Sequence, residues 1–227
     1  LEDKNIKKII NKIKIKNFIT YGLEKKCNFQ ICNLRYFINK TLFDLKINDL
    51  KEKKTVKNIN LNLIGKHNVL NATAAIAVCM NLGIKLKTIK KSLSNFSGVQ
   101  RRMTKVLSKN NVEFYDDYAH HPTEIASVLA SVRNVYKKKK IISVFQPHRY
   151  SRIRSLKKQF SLSFKNSDIV ILCPLYAAGE VRDKTYNHNL FAKSIANNSK
   201  TQVILIEDEK DLKNYFRKNL INNELVV

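Results

Sequence analysis

From Pro122 to the last residue, short runs of aliphatic and β-branched residues alternate with longer segments of helical periodicity, and this alternation limits the fold more than any other feature. Helical spacing covers Pro122 to Tyr136, the apolar run IISVF covers Ile141 to Phe145, and a helix is expected from Arg152 to about Phe164. Strand DIVIL (Asp168 to Leu172), helix Leu190 to Ala196, strand QVILI (Gln202 to Ile206), helix Lys210 to Lys218 and a strand beginning at ELVV complete the series. Apolar strands separated by helices of this length predict an α/β fold, a Rossmann-like, doubly wound, mostly parallel sheet. Such sheets bind ligands beyond the carboxyl ends of their strands.

The residues before this series read differently. Segments Asn17 to Gly22, Asn28 to Ile38 and Lys57 to Gly65 mix β-branched or aromatic residues with polar ones near period two, which predicts three strands. From Lys66, the positions Val69, Ala72, Ile76 and Met80 recur at helical spacing with Gly83 as a stop, and a second helix is expected from Leu86 to Phe96. A hairpin through MTKVLSKNNVEFYDD, turning at Asn110 and Asn111, then opens the second part. The domain boundary falls at FSGVQRRM, giving domains 1–98 and 99–227.

Composition narrows the functional class. The net charge of +25 would suit a nucleic-acid binder, but the lysines are spread along the whole chain and only Lys137 to Lys140 form a block, at a helix-to-strand handover where a solvated loop is expected. Neither a nucleic-acid nor a membrane partner is expected. The longest apolar stretch, Val69 to Leu82, is interrupted by Asn71 and Thr73 and is shorter than the roughly 20 residues a bilayer requires. The start, LEDKNIKKII, lacks the apolar run and cleavage site of a signal peptide, so a cytoplasmic location is expected. Cys27, Cys32, Cys79 and Cys173 lack metal-ligand spacing and read as reduced, buried thiols, with no metal site expected on this chain. A first residue other than Met, and an end inside a strand, predict a piece of a longer polypeptide.

Four polar clusters stand at expected strand ends and helix starts: GKHNVLNA (Gly65 to Ala72), GVQRRM (Gly98 to Met103), DDYAHHPTE (Asp116 to Glu124) and FQPHRYSR (Phe145 to Arg152). In the third, a strand delivers Asp116, Asp117, Tyr118, His120 and His121 into a loop; Pro122, Thr123 and Glu124 read as helix-capping chemistry. In the fourth, Arg149 and Arg152 are three apart, so on a starting helix they share a face and could clamp a carboxylate or phosphate. His67, Asn68 and Asn71 could hydrogen-bond a planar heterocycle or simply cap a helix, and spacing does not choose between these. Arg101 and Arg102 lie at the interdomain joint, free to meet nucleotide oxygens or to tie the domains together.

In this order, and joined by LYAAGE (Leu175 to Glu180), these segments closely resemble the Mur ligase family from about Phe18 to Val227, most of all its branch that joins L-alanine to UDP-N-acetylmuramate. A sister branch that adds an intact tripeptide shares the HN and DDxAHHPT wording but not QPHRYSR. The resemblance implies a central ATP-binding domain followed by a C-terminal domain, with ATP and Mg2+ as cofactors. It also implies an acyl-phosphate route in which a phosphorylated muramate carboxylate is attacked by the alanine amine. It places His67, Asn68 and Asn71 at adenine and ribose, with Arg102 and Asp117 on the nucleotide side. Tyr118, His120, His148, Arg149 and Arg152 would surround alanine and the product carboxylate, with His120, His148 and Arg149 taking part in catalysis. The family's Gly-Lys-Thr phosphate loop has no counterpart in this sequence, its UDP-sugar domain and Mg2+ ligands would lie outside it, and the polypeptide alone is expected not to turn over.

Overall fold

Asp44 explains the form of the first sheet, because a carboxylate in mid-strand must find donors on both sides. In a computed structural model, which describes residues 4–10, 12, 18–48 and 53–227, the chain forms two compact units, 1–98 and 99–227. The first contains helix α1 (Lys4–Ile10) and strands β1 (Tyr21–Gly22), β2 (Phe29–Phe37), β3 (Lys40–Asn48) and β4 (Lys53–Leu61) in sheet order β1-β2-β3-β4. Asn17 of the first expected strand lies outside the described residues, and β4 begins four residues earlier than expected.

Strand β3, not expected from the sequence, is the central antiparallel partner of β2 and β4. It buries Thr41, Phe43, Leu45 and Ile47 at period two. Asp44 is also buried, with Oδ2 accepting from Asn33 Nδ2 at 2.8 Å and Oδ1 from the Asn58 N–H at 2.8 Å. Both asparagines have positive φ, 50° and 55°, and both sit where strand register slips, so one carboxylate pins a bulge on each neighbour. Helices α2 (Lys66–Asn81) and α3 (Leu86–Asn95) follow, and Val69, Ala72, Ile76 and Ile89 join the sheet residues in one core.

The second unit opens with hairpin β5 (Thr104–Lys109) and β6 (Val112–Asp116), whose turn residues Asn110 and Asn111 have φ of 50° and 60°, the sign a two-residue hairpin turn requires. Next come α4 (Pro122–Val135), β7 (Lys140–Phe145), α5 (Tyr150–Leu162), β8 (Ile169–Leu172), α6 (His188–Ser199), β9 (Gln202–Leu205), α7 (Glu209–Asn219) and β10 (Glu224–Val226). The sheet order is β5-β6-β10-β7-β8-β9, parallel except at β5. Residues of α4, α5 and α6 pack on one face and Leu212, Tyr215 and Phe216 of α7 on the other, so the sheet is doubly wound as the sequence predicts.

Three local readings change. Helix α5 starts at Tyr150, two residues before the expected position. Only Cys27 is buried; Cys32, Cys79 and Cys173 are half-buried, and all four thiols are free. Lys139 is not a solvated loop residue: its Nζ donates to Asn111 O at 2.9 Å and lies 4.0 Å from Glu113, tying the hairpin to the start of β7.

Candidate active site

Strand β6 delivers Asp116 and Asp117 to the carboxyl edge of the sheet, where hydrogen bonds shape the loop that follows. Asp117 accepts from the N–H of Met103 at 2.9 Å and of Ala119 at 2.8 Å, so its carboxylate organises backbone on both sides. Asp116 lies 3.6 Å from Arg101, whose guanidinium stacks 4.7 Å from the Tyr118 ring centroid. Tyr118 donates its N–H to Arg101 O at 2.8 Å and meets the His120 ring edge-on at 5.2 Å. His120 Nδ1 is 3.0 Å from Tyr118 O and 3.7 Å from Glu124 Oε2; both neighbours are acceptors, so they favour a proton on Nδ1 and leave Nε2 as the outward nitrogen of the ring.

Helix α4 is capped by this same loop. His121 accepts from Thr123 N–H at 3.3 Å, while Glu124 accepts from the N–H groups of His120 at 3.1 Å and His121 at 3.2 Å. Burial alone would raise the Glu124 carboxyl, but those two hydrogen bonds, with His120 and Arg102 nearby, hold it below its ordinary range. Pro122, Thr123 and Glu124 therefore cap the helix, and His121 belongs with them.

The loops after β7 and β8 are zippered together. Arg149 N–H donates to Tyr176 O at 2.9 Å and Tyr176 N–H to Pro147 O at 2.8 Å, and the His148 and Tyr176 rings lie 5.3 Å apart. Arg149 is the N-cap of α5 with φ 68°, a left-handed backbone that costs a non-glycine residue about 1–2 kcal/mol. It therefore precedes the helix rather than sharing a face of it with Arg152, which stands in the first turn. His148 is held below the ordinary histidine range first by burial, then by Arg152, Arg149 and His120, against a weaker pull from Glu180. Four groups from the segments after β6, β7 and β8 thus act on one imidazole. His148 Nδ1 and Arg152 Nη1 are buried with no hydrogen-bond partner, and among the described residues neither Arg149 nor Arg152 forms an ion pair. The buried guanidinium N–H of Arg152, in a cluster of cations, is a donor suited to a carboxylate or phosphate.

In the first unit, α2 has Gly65, φ 101°, as its N-cap and no side-chain cap. His67 and Asn68 are half-buried and Asn71 is exposed. Asn68 Nδ2 donates to Ile64 O at 2.8 Å, so its amide ties back to the preceding loop while Oδ1 stays available as an acceptor.

Comparison with known proteins fits this arrangement. Residues 101–227 match the model for the Mur ligase glutamate ligase domain, and residues 1–79 match the Mur ligase middle domain. The chain belongs to the Mur ligase family. A UDP-N-acetylmuramate–L-alanine ligase of Pelagibacter ubique is 46% identical over 228 residues, covering 100% of this chain and 49% of that protein. Its counterpart in Ruthia magnifica is 36% identical over 230 residues, covering 100% and 48%. The crystal structure of the UDP-N-acetylmuramate–alanine ligase of Thermotoga maritima superimposes with a TM-score of 0.73 at 25% identity, covering 92% of this chain and 43% of the other. This chain spans about half the length of the curated Mur ligases it matches.

Two features of this Mur ligase chain escaped sequence reasoning. The LYAAGE motif was visible, yet no role attached to Tyr176 or Glu180, because nothing local in a sequence shows that a strand-end loop will lie against a neighbouring helix start. Sequence alone leaves Arg101 between two uses, and the structure places its guanidinium at Asp116 and Tyr118. Among the described residues no three His, Cys, Asp or Glu side chains gather as metal ligands, so no step is assigned to Mg2+ on this chain. No helix among them is long and apolar enough to cross a membrane.

Proposed function

We propose that this chain carries the end of the central domain, residues 1–98, and the C-terminal domain, residues 99–227, of an ATP-dependent ligase. That ligase joins L-alanine to UDP-N-acetylmuramate in peptidoglycan precursor synthesis, with ATP and Mg2+ and in the cytoplasm. The observation that carries this reading is the cluster of His148, Arg149 and Arg152, facing His120, with the buried Arg152 N–H suited to an anion.

A carboxylate is a poor electrophile until one oxygen becomes a leaving group, and ATP supplies that by phosphorylating the muramate carboxylate. The alanine amine must then arrive unprotonated. Arg149 and Arg152 hold the alanine carboxylate and set the amine's direction. His148, kept neutral at pH 7 by burial and its cationic neighbours, is suited to accept the ammonium proton, and His120 presents Nε2 as a second ring nitrogen. As the amine adds, negative charge grows on the carbonyl oxygen and then on the departing phosphate, and the Arg149 guanidinium spreads it. Tyr118 walls the alanine side. On the nucleotide side, His67, Asn68 and Asn71 of the first unit serve adenine and ribose, and Arg102 and Asp117 of the second also bind the nucleotide.

A chimera tests this, with residues 1–227 replacing the matching half of the Pelagibacter ubique relative. Phosphate release that requires ATP, UDP-N-acetylmuramate and L-alanine together is expected. A folded chimera that is inactive with L-alanine, or that accepts an intact tripeptide instead, overturns the reading.

A further inference from the structure

The cluster of His148, Arg149 and Arg152 depends on a helix start that is poorly supported by its own sequence. Helix α5 has no side-chain cap of its own, its N-cap Arg149 is left-handed, and Leu156 breaks the helical path with φ −120° and ψ 19°. Residues 150–155 therefore form a short turn whose direction the helix body beyond Leu156 does not fix. Ties from elsewhere must set it.

Those ties come from the segment after β8, which runs along the turn. Glu180 accepts from Ser151 N–H at 3.1 Å and from the Ser151 hydroxyl, and the Tyr150 N–H also bonds it. Asp183 pairs with Arg154 at 3.2 Å, and the Tyr186 ring meets Tyr150 edge-on at 5.5 Å. Tyr186 is anchored in turn by its hydroxyl, 2.7 Å from His188 Nδ1 at the start of α6. Of these contacts only Glu180 takes up a backbone N–H in the first residues of the turn, next to Arg149. It occupies the place of an absent N-cap side chain, with a negative charge at the positive end of the helix.

We propose that Glu180 is a positioning residue for the anion site, acting through Ser151 to hold the Arg149 backbone and the first turn of α5 so that His148, Arg149 and Arg152 converge. It does not touch the substrate. This rests on the proposed role of those three residues, but Glu180 can be tested separately from that role.

The experiment uses the 227-residue chain and its Glu180→Ala and Glu180→Gln variants. Amide hydrogen exchange is measured without ligand, and L-alanine is then titrated against the backbone and arginine side-chain NMR signals. Glu180→Ala is expected to speed exchange at Ser151 and the next two amides and to weaken L-alanine binding by at least about tenfold, with the thermal midpoint little changed, since a hydrogen-bonded charged cap is lost. Glu180→Gln keeps one acceptor oxygen and is expected to stay within about threefold of the parent. Unchanged exchange in Glu180→Ala overturns the positioning role, as does parental affinity for L-alanine in that variant. Faster exchange in the variant, with no L-alanine binding by the parent chain, upholds the role of Glu180 and overturns the alanine-site reading instead.

Discussion

Replacing Arg152 with Met tests whether the cationic cluster exists for a ligand rather than for the fold. Met retains much of the aliphatic stem and removes the guanidinium, so packing changes little. A charge-assisted hydrogen bond contributes about 1.5–3 kcal/mol, so losing the Arg152 contact should weaken L-alanine binding about 10- to 100-fold. Stability should move the other way or not at all. Arg152 Nη1 is buried without a partner, and Arg152 is the strongest charged influence lowering His148. Relieving these should leave the second unit unchanged or up to about 1 kcal/mol more stable. The His148 imidazole should titrate closer to the ordinary histidine range, though not reach it, because burial is the larger cause. Isothermal titration with L-alanine, urea melts and imidazole NMR titration read the three effects. Parental affinity in the Met variant, or a stability loss above about 1 kcal/mol, would refute the reasoning, since either makes Arg152 a structural residue.

Asp44→Ala should destabilise the first unit by about 2–4 kcal/mol, because the donors of Asn33 and Asn58 lose their acceptor in a buried setting; a urea melt showing under about 1 kcal/mol would contradict this. The side-chain bond from Asn33, then the backbone bond from Asn58 and the nearby Arg35, hold the Asp44 carboxyl below its ordinary range. Its stabilisation is therefore complete above the unfolded carboxyl value and is lost as pH falls through the lower folded value; Asp44→Ala should flatten that acid limb. The isolated 227-residue chain should release no phosphate from ATP, since it contains no phosphate loop, and ATP-dependent release by the purified chain would show otherwise.

The doubly wound sheet was legible because its central strands β7, β8 and β10 are largely apolar and buried on both faces and its helices carry period 3.6, two signals that need no tertiary context. The Asn110–Asn111 turn was equally plain, since asparagine tolerates the positive φ that a tight hairpin demands. Strand β3 was hidden by its best-placed residue. Asp44 is a poor strand former in isolation and becomes acceptable only when bulges at Asn33 and Asn58, 11 and 14 residues away, turn donors toward it. The start of α5 was hidden for the same kind of reason. Its N-cap is a left-handed arginine where glycine would be the usual signal, and its capping carboxylate comes from Glu180, 29 residues beyond Ser151. The motif residues were thus readable, and the contacts that aim them were not.

Strand order then explains why the histidine and arginine loops meet. The chain lays down β6, skips one position to β7, and continues outward through β8 and β9 before α7 crosses the other face and returns β10 to the gap. Successive parallel strands lie about 4.8 Å apart, so β6 and β7 stand about 10 Å apart across β10. The loops leaving their carboxyl ends lead to α4 and α5 on one face of the sheet, and open α/β sheets place ligands beyond that carboxyl edge. His120 comes from one side and His148, Arg149 and Arg152 from the other, near enough for His120 to depress the His148 titration. Val144 N–H donates to Val227 O at 2.7 Å and Val227 N–H to Ile142 O at 2.9 Å, so the end of β10 is firmly paired below them. That paired strand fixes the spacing of the loops beside it, which is why changes at Glu180 or Arg152 should register in affinity before they register in folding.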